Sequence, residues 1–378
     1  MFTVNRSIGN PLIAPYRLHA WEAFATFNAS PVRYNKRLHL LYRAMSTVDL
    51  MVDPHYRLSV IGRASFDDDH KHCGERAVFL YPEHDYEQFG LEDPRVTAID
   101  DTHFIFYTAL GGFPFSADNI RIAVALSRDL HTVDEKHLVT PFNAKAMALF
   151  PEKINGEYVA ILSVNTDCGP SDIAIARFNE REQIWSEEYW KAWYADLGQH
   201  TLTIRRRPSD QVEVGAVPIK TAEGWLLIYS HIQEYGSEHP VFGVEALLLD
   251  LQDPQKILHR SNGPFMVPEE YYEHTGMVPD IVFPSGALLE GNRLAVYYGG
   301  ADTVVAVAYM PLDIFLAALI GKTPLLHRHE PLLEPRPEMV WEVGGVLNPA
   351  AVEIDGLIYI VYRATTKDNV STLGLAIS

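Results

Sequence analysis

Two carboxylates and a guanidinium stand beside one proline in the stretch Gly90-Leu-Glu-Asp-Pro-Arg95. Paired carboxyl groups can give protons to a substrate and take them from it, which is general acid–base catalysis. Because Asp93 precedes Pro94, its backbone is expected in extended or turn geometry rather than in a helix. The residues that follow predict a strand, an Asp-Asp turn and a second strand. A structural role, in which Asp93 opens a turn and pairs with Arg95, is the alternative.

Composition restricts the partners that such a site could have. The chain has 378 residues and a formal net charge of -18, which argues against nucleic acid and acidic membrane surfaces as partners. No stretch approaches the roughly 20 apolar residues that a membrane span needs. The first residues lack the pattern of a secretory signal. With two cysteines, Cys73 and Cys168, a disulfide framework is not expected, and the cytoplasm is the predicted location.

One pattern recurs six times along the chain, and it predicts the fold. Each copy has an opening that usually contains proline, a short strand, a turn, an apolar strand usually ending in Tyr, and a third strand rich in Ala, Gly and Val. The apolar strands are Leu40–Tyr42, Phe104–Tyr107, Tyr158–Ser163, Trp225–Tyr229, Leu294–Tyr298 and Ile358–Tyr362. A fourth, Pro-marked element lies between copies. Four-stranded units repeated radially predict an all-β protein, a β-propeller forming one domain over residues 1–378. A row of separate β-sandwiches is the alternative.

The two ends of the chain predict how the ring closes. Copy six stops after its third strand at Ser378, whereas a lone fourth-strand signature, Pro11-Leu-Ile-Ala-Pro15, stands at the start. We therefore expect a ring of six blades in which this N-terminal strand completes the sixth sheet.

The first strands of propeller blades line a central channel, so residues at the six openings converge although they are far apart in sequence. A channel with several carboxylates and cations suits a small polyhydroxylated ligand, neutral or anionic. The converging set includes Asn28, Arg43, Glu92, Asp93, Arg95, Lys145, Glu213, His231, Glu273 and Asp302.

Other known site patterns are missing from the sequence. The stretch Asp67–Cys73 has metal-ligand residue types without a zinc spacing, so no metal site is predicted. The chain has no P-loop, no G-x-G-x-x-G and no G-x-S-x-G motif, and no cofactor is predicted.

Several longer motifs carry a family resemblance. They include Leu40-Leu-Tyr-Arg-Ala44, the Glu-Asp-Pro-Arg stretch, Leu149-Phe-Pro-Glu-Lys-Ile-Asn-Gly-Glu-Tyr158 and Tyr297-Tyr-Gly-Gly-Ala-Asp-Thr303. Over about residues 8–310 the sequence resembles glycoside hydrolase family 130, the β-mannoside phosphorylases and β-mannosidases. The resemblance implies a five-bladed propeller, which is the alternative to six blades, and it makes Asp93 the general acid. It further implies that Asn28, Arg43, Arg95 and Asp302 hold the sugar at the nonreducing end.

The positions that bind phosphate in family phosphorylases differ in this chain. Where the family has an Arg, a Lys and a His, this sequence has Ser163, Glu213 and Ser230, with His231 one place late. A phosphate dianion beside Glu213 would be repelled. Family members without those cations resemble hydrolases in which an acidic residue activates water. Glu213 is the first candidate for that base and Glu273 the second, in an inverting displacement.

Three hypotheses follow for the function. The first is a hydrolase that releases mannose from short β-mannosides, possibly β-1,2-linked, with Asp93 as acid and Glu213 as base. The second is a β-mannoside phosphorylase that makes mannose 1-phosphate, with inorganic phosphate as co-substrate and Arg43, Arg63, Lys145 or His231 as replacement ligands. The third is a non-catalytic carbohydrate-binding propeller. The expected partner is a small oligosaccharide, and the oligomeric state stays open.

Overall fold

The computed structural model describes residues 3–47, 57–67, 73–237, 240–322, 331–354 and 356–377. The chain forms two compact units, Met1–Thr323 and Pro324–Ser378, where the sequence predicts one domain. Most of the stretch with metal-ligand residue types, residues 68–72, lies outside the described residues. No helix in the described ranges is both long enough and apolar enough to span a bilayer.

Five antiparallel sheets form the first unit. The first strand of the chain, β1 (Asn5–Arg6), belongs to the last of these sheets. Sheet one holds β2 (Ala25–Tyr34), β3 (Arg37–Met45), β4 (Ser59–Phe66) and β5 (Cys73–Leu80). Sheet two holds β6 (Leu91–Ile99), β7 (Thr102–Leu110), β8 (Ile120–Ser127) and β9 (Glu135–Leu138). Sheet three holds β10 (Ala144–Leu149), β11 (Tyr158–Val164), β12 (Asp172–Phe178) and β13 (Thr201–Leu202).

The remaining two sheets follow the same order. Sheet four holds β14 (Gln211–Val214), β15 (Ile219–Lys220), β16 (Trp225–Gln233), β17 (Val241–Leu249) and β18 (Ile257–Arg260). Both β14 and β15 pair with β16. Sheet five holds β19 (Val282–Glu290), β20 (Arg293–Gly300), β21 (Val304–Pro311) and β1. The α-helices of this unit are α1 (Glu187–Ala195), α2 (Tyr271–His274) and α3 (Leu312–Leu319).

An apolar cluster fills each gap between successive sheets, including the gap between the fifth and the first. In that last gap, Leu40 and Tyr42 of sheet one pack with Tyr297 and Val307 of sheet five. Equivalent clusters join sheets one and two, two and three, three and four, and four and five. Each sheet therefore buries both faces against neighbours, as the blades of a five-bladed β-propeller do. The predicted all-β fold with four-stranded sheets is confirmed, but the count of six blades is not.

The N-terminal segment completes the fifth sheet rather than the sixth. Asn5 and Arg6 pair with Tyr309 and Ala308 of β21, and Ile13 forms a single bridge to Val305. The edge of β21 presents backbone donors and acceptors that need partners, and the N-terminal segment supplies them. The predicted strand around residues 11–14 is thus reduced to one bridge.

The sixth copy forms a three-stranded sheet in the second unit, made of β22 (Gly345–Ile354), β23 (Leu357–Thr365) and β24 (Ser371–Ile377). It duplicates sheet one at a constant offset in numbering. The first-sheet residues Trp21, Glu22, Asn28, Tyr42 and Arg43 recur as Trp341, Glu342, Asn348, Tyr362 and Arg363. Both sheets also carry a β-bulge at the same point, just after Phe27 in the first and just after Leu347 in the second. Apolar side chains of this copy, such as Leu373, are largely exposed.

A buried tyrosine, glutamate and cation recur from sheet to sheet, and we call each set a Tyr–Glu lock. In sheet one the Tyr42 hydroxyl donates to Glu22 at 2.7 Å, and Arg76 pairs with the same carboxylate at 2.6 Å. The other locks are Tyr107–Glu87–Lys136, Tyr229–Glu245–Arg206, Tyr298–Glu273–Arg6 and Tyr362–Glu342–Arg336. Sheet three has Ser163 in place of the tyrosine, and its Oγ accepts a hydrogen bond from the Val214 amide at 2.8 Å. The locks explain why the apolar strand of most copies ends in Tyr.

Candidate active site

β-Bulges on the first strands of sheets one and two set the backbone of the site. Asn28 and Asp93 lie in these bulges with φ of 51° and 53°. Asn and Asp tolerate this left-handed conformation better than most residues, and a bulge turns the side chain out of the regular alternation. The backbone of Asp93 is therefore left-handed, whereas the proline that follows it predicts extended or turn geometry. The strand, turn and strand predicted after it are present as β6 and β7.

The carboxylate of Asp93 lies among polar groups from sheet one. Asn28 Nδ2 donates to Asp93 Oδ1 at 2.9 Å, and Arg43 Nη1 lies 3.9 Å from the same oxygen. Arg43 also forms an ion pair with Glu92, and its Nε donates to Ser59 Oγ at 3.2 Å. Asn28 Oδ1 is buried without a hydrogen-bond partner among the described residues. The predicted convergence of Asn28, Arg43 and Asp93 is present in the structure.

Asp302 reaches the same cluster from the turn between β20 and β21. Its backbone is also left-handed, with φ of 48°. Burial raises the pKa of Asp302 to about 6; Arg43 opposes this rise, whereas Asp93 and Glu92 add to it. Burial likewise raises the pKa of Glu92, against the lowering effect of Arg43. The carboxyl groups of Glu92, Asp93 and Asp302 thus all lie near the guanidinium of Arg43. A sugar hydroxyl in this part of the site would find both hydrogen-bond donors and acceptors.

Lys145 and Glu213 stand on the other side of Asp93, on β10 of sheet three and β14 of sheet four. Lys145 Nζ binds Asp167 Oδ1 at 2.9 Å, and Asn143 holds the other oxygen of Asp167 at 2.9 Å. Burial raises the pKa of Glu213 to about 7, with Lys145 lowering it and Asp167 and Asp93 raising it further. Glu213 therefore changes charge near neutral pH.

Arg95 is completely buried, and its contacts give no support to its predicted sugar-binding role. Its guanidinium donates to backbone carbonyls of β6 and of the β14 segment: Asp93, Pro94, Val214 and Gly215. Burial lowers the pKa of Arg95 to about 10, so it stays charged at neutral pH, with Asp93 and Glu213 favouring that charge. The physical reason for the error is the bulge between Glu92 and Arg95, which directs the two side chains differently.

Glu273 belongs to a Tyr–Glu lock, His231 contacts the glutamate of another, and neither lies in the cluster around Asp93. The His231 ring is buried between Glu245, at 2.9 Å, and Asp210, at 3.1 Å. Glu273 is buried too, and it accepts hydrogen bonds from Tyr298 at 2.6 Å and Arg6 at 3.2 Å. These contacts use up the polar atoms of both residues. The structure therefore favours neither His231 as a phosphate ligand nor Glu273 as a base.

Replacing Glu273 by Gln should destabilise the protein and leave catalysis intact. The amide keeps the size of the side chain but loses the charge that Arg6 and Tyr298 contact, at a cost of about 1–3 kcal/mol. We expect a lower midpoint in urea unfolding and an unchanged kcat. The matched control is Glu269→Gln, an exposed partner of the same arginine, for which a smaller shift is expected. A Glu273→Gln protein with native stability and a kcat lowered a hundredfold would restore Glu273 as a base candidate.

Comparison with known proteins identifies the family to which the chain belongs. The sequence profile of glycoside hydrolase family 130, described as β-1,4-mannooligosaccharide phosphorylase, matches residues 13–319. The chain belongs to glycoside hydrolase family 130. The family match includes all five sheets except β1 and stops before the duplicated sheet of the second unit.

Two relatives are similar to this chain over almost their own whole length. A 1,2-β-oligomannan phosphorylase from Thermoanaerobacter sp. strain X514 is 33% identical over 320 residues, which is 82% of this chain and 98% of that protein. A solved β-1,2-mannobiose phosphorylase from Listeria innocua, in complex with β-1,2-mannobiose, gives a TM-score of 0.67 at 29% identity and covers 84% of this chain and 99% of its own.

The family 130 fold is also shared with a hydrolase. A structure described as belonging to the glycoside hydrolases of this family that target β-1,2-mannosidic linkages in Candida mannan gives a TM-score of 0.64 at 20% identity, covering 82% of this chain and 93% of its own. At that identity the likeness concerns the fold alone.

Two residues of this family 130 site have no role assigned to them from the sequence. Glu92 stands inside the opening motif, but its neighbour Asp93 takes the catalytic assignment. Asp167 lies in a loop after β11 with no motif around it. Its importance follows from its hydrogen bond to Lys145, which links positions 22 residues apart. The sequence around Asp167 is polar, as it is in most loops, so it gives no specific signal for a site residue.

Proposed function

We propose that this protein cleaves β-1,2-linked mannosides and that Asp93 donates the proton to the leaving oxygen. The observation that carries the proposal is the position of Asp93, between sugar-binding groups on sheets one and five and the pair Lys145 and Glu213. Three relatives at 31–34% identity are named for β-1,2-mannosides, which supports this linkage. A fourth, at 32% identity over 63% of this chain, is named a β-1,4-mannooligosaccharide phosphorylase, so the linkage is part of the proposal.

The reaction is a single inverting displacement. Asn28, Arg43 and Asp302 hold the mannosyl unit at the nonreducing end by its hydroxyls. The bond between its anomeric carbon and the bridging oxygen breaks, while the proton of Asp93 passes to that oxygen, directly or through a substrate hydroxyl. An incoming oxygen forms the new bond to the anomeric carbon from the opposite face.

Phosphate is the first candidate for the incoming group, because the Thermoanaerobacter and Listeria relatives reported above are named phosphorylases. Two of the predicted replacement ligands, Lys145 and Arg43, reach the site, and the Lys145 side chain is 23% exposed. Arg63 instead lies 3.5 Å from His131, and His231 is enclosed by its carboxylates. Lys145 would bind phosphate as a point charge, and the product would be mannose 1-phosphate.

Because the pKa of Glu213 is raised, phosphate binding is compatible with the presence of this carboxyl group beside the phosphate. Below about pH 7 Glu213 is largely neutral, and its hydroxyl can donate a hydrogen bond to a phosphate oxygen. Above that pH the same residue is an anion and repels phosphate.

Hydrolysis, with water as the incoming group, is the second candidate reaction, and Glu213 favours it as well. Carboxylates outnumber cations around Asp93, and each of two partly buried cations already pairs with a carboxylate: Arg43 with Glu92, and Lys145 with Asp167. An ionised Glu213 on the far side of the sugar could take a proton from water, as the base of an inverting hydrolase does.

Incubation with β-1,2-mannobiose, with and without phosphate, separates the two reactions. We expect mannose 1-phosphate when phosphate is present, and a kcat/KM for phosphate that falls about tenfold per unit as pH rises above 7, since the neutral form of Glu213 is lost. In Glu213→Gln the amide donates at every pH, so this additional fall should disappear while the titration of phosphate itself is unchanged. Release of free mannose without phosphate, rising with pH through 7 and lost about 10²–10⁴-fold in Glu213→Gln, would establish hydrolysis instead.

A further inference from the structure

A cavity of about 560 Å³ opens beside the active site, lined by residues of sheets two, three and four and their loops. It shares a wall with the site through Asp167, the carboxylate that binds Lys145 at 2.9 Å. Gln211 also lines the cavity and stands two residues before Glu213 on β14, so both side chains leave the strand on the same side. The cavity therefore borders the groups that surround the cleaved bond.

The lining of the cavity combines aromatic rings with hydrogen-bonding groups. Phe115 and Tyr235 are 45% and 46% exposed, and such rings can stack on the C–H face of a sugar. Gln211 is 5% exposed, and its Oε1 is buried with no hydrogen-bond partner among the described residues. An unpaired buried acceptor is unfavourable, and a rotation of this side chain toward the cavity would let a ligand hydroxyl donate to it. Ser116 and Ser209 add two more hydroxyls to the wall.

Charge indicates what kind of molecule fits. Among the described residues that line the cavity, Asp167 alone carries a formal charge, and Lys and Arg are absent from that set. A phosphate or another anion would find no cation in this lining. A neutral, polyhydroxylated ligand matches both the rings and the unpaired acceptor, and the volume is within the range of about 300–1,000 Å³ common for small-molecule sites.

The position of the cavity assigns it to one end of the substrate. The groups proposed for the nonreducing sugar, Asn28, Arg43 and Asp302, belong to sheets one and five. The cavity lies among the other three sheets, on the far side of Asp93. A mannoside held by its nonreducing end would thus extend the rest of its chain toward Phe115, Gln211 and Tyr235.

We infer that this cavity binds the mannosyl units that lie beyond the first one on the reducing side of the cleaved bond, and that it makes the enzyme selective for oligosaccharides longer than a disaccharide. The inference depends on the proposed cleavage of β-1,2-mannosides and adds a chain-length preference to it. The names of the relatives do not decide the chain-length preference, because they include both an oligomannan phosphorylase and mannobiose phosphorylases.

The test compares kcat/KM for β-1,2-linked mannobiose, mannotriose and mannotetraose. For the wild-type protein we expect kcat/KM to rise about tenfold or more from the disaccharide to the longer chains. Phe115→Ala, Tyr235→Ala and Gln211→Ala should each lose about three- to tenfold on mannotetraose and little on mannobiose, which corresponds to the loss of one stacking or hydrogen-bonding contact. Tyr271→Ala is the matched control, because this 78% exposed tyrosine of α2 does not line the cavity.

Each outcome bears on a different claim. A protein that cleaves none of the three sugars contradicts the proposed function itself. A protein that cleaves all three with equal kcat/KM, or in which the cavity variants lose activity on mannobiose and mannotetraose alike, contradicts the chain-length inference alone. Variants that raise the KM for phosphate and leave the chain-length profile unchanged would assign the cavity to the incoming group. Thermal unfolding of each variant checks that the fold is retained.

Discussion

Replacing Asp93 by Asn should lower kcat on β-1,2-mannobiose by about 10²–10⁴-fold, since proton donation by a positioned side chain contributes that much to a rate. The backbone should tolerate the change, because φ at this residue is 53° and Asn adopts that conformation as readily as Asp. The amide also keeps an oxygen that can accept the hydrogen bond from Asn28. Steady-state kinetics together with a thermal melt measure the two effects separately.

The control for this prediction is Asp101→Asn in the exposed turn between β6 and β7. It removes a carboxylate from the same hairpin and should leave kcat unchanged. A mannoside with a good leaving group, such as dinitrophenol, needs little protonation, and its cleavage by Asp93→Asn should be impaired far less. Asp93 is not the proton donor if the Asn variant keeps wild-type kcat on mannobiose and a native melting temperature.

Replacing Arg95 by Met should destabilise the first unit by about 3 kcal/mol or more. The change leaves up to four buried backbone carbonyls without their donor, and each such group costs about 1–3 kcal/mol. The loss should also alter catalysis, because Arg95 lowers the pKa of Glu213. Without that charge, the pH at which phosphorolysis declines should move upward.

Urea unfolding and a pH profile of kcat/KM for phosphate test the two parts of this prediction. Arg128→Met is the control, since this arginine is 80% exposed and its ion pair with Asp134 spans 3.9 Å. Its effect should stay within about 0.5 kcal/mol. Equal stability of the Arg95 and Arg128 variants would show that the buried hydrogen bonds to the carbonyls are not needed for the fold.

The repeat pattern predicts the sheets well because most of each sheet is local in sequence, and the fourth strand of sheet five is the exception, since it comes from the N-terminal segment. Four short strands with turns between them are encoded within about 60 residues, and the period of the apolar residues fixes which positions are buried. The pattern also predicts that openings of different copies converge, as Asn28, Asp93 and Asp302 do. Counting copies does not give the number of blades, because whether a copy joins the ring depends on tertiary packing.

Individual side chains were harder to predict than sheets, for two physical reasons. A bulge changes the direction of the residues that follow it, so Arg95 points into the protein although it is two residues from Asp93. The Tyr–Glu locks have no fixed spacing: Glu22 precedes Tyr42 by 20 residues, whereas Glu273 precedes Tyr298 by 25. Glu273 therefore looks like a free carboxylate in the sequence.

The duplicated sheet of the second unit repeats residues that are proposed to bind sugar in sheet one. Asn348 keeps a φ of 48°, and Arg363 Nε donates to Ser371 Oγ at 3.0 Å, much as Asn28 and Arg43 do in sheet one. In sheet one, Asn28 and Arg43 lie beside the carboxyl group of Asp93. A scan for sugar-binding residues would thus find this Asn and Arg pair twice in the chain, and the contacts to Asp93 identify the pair on sheet one as part of the site.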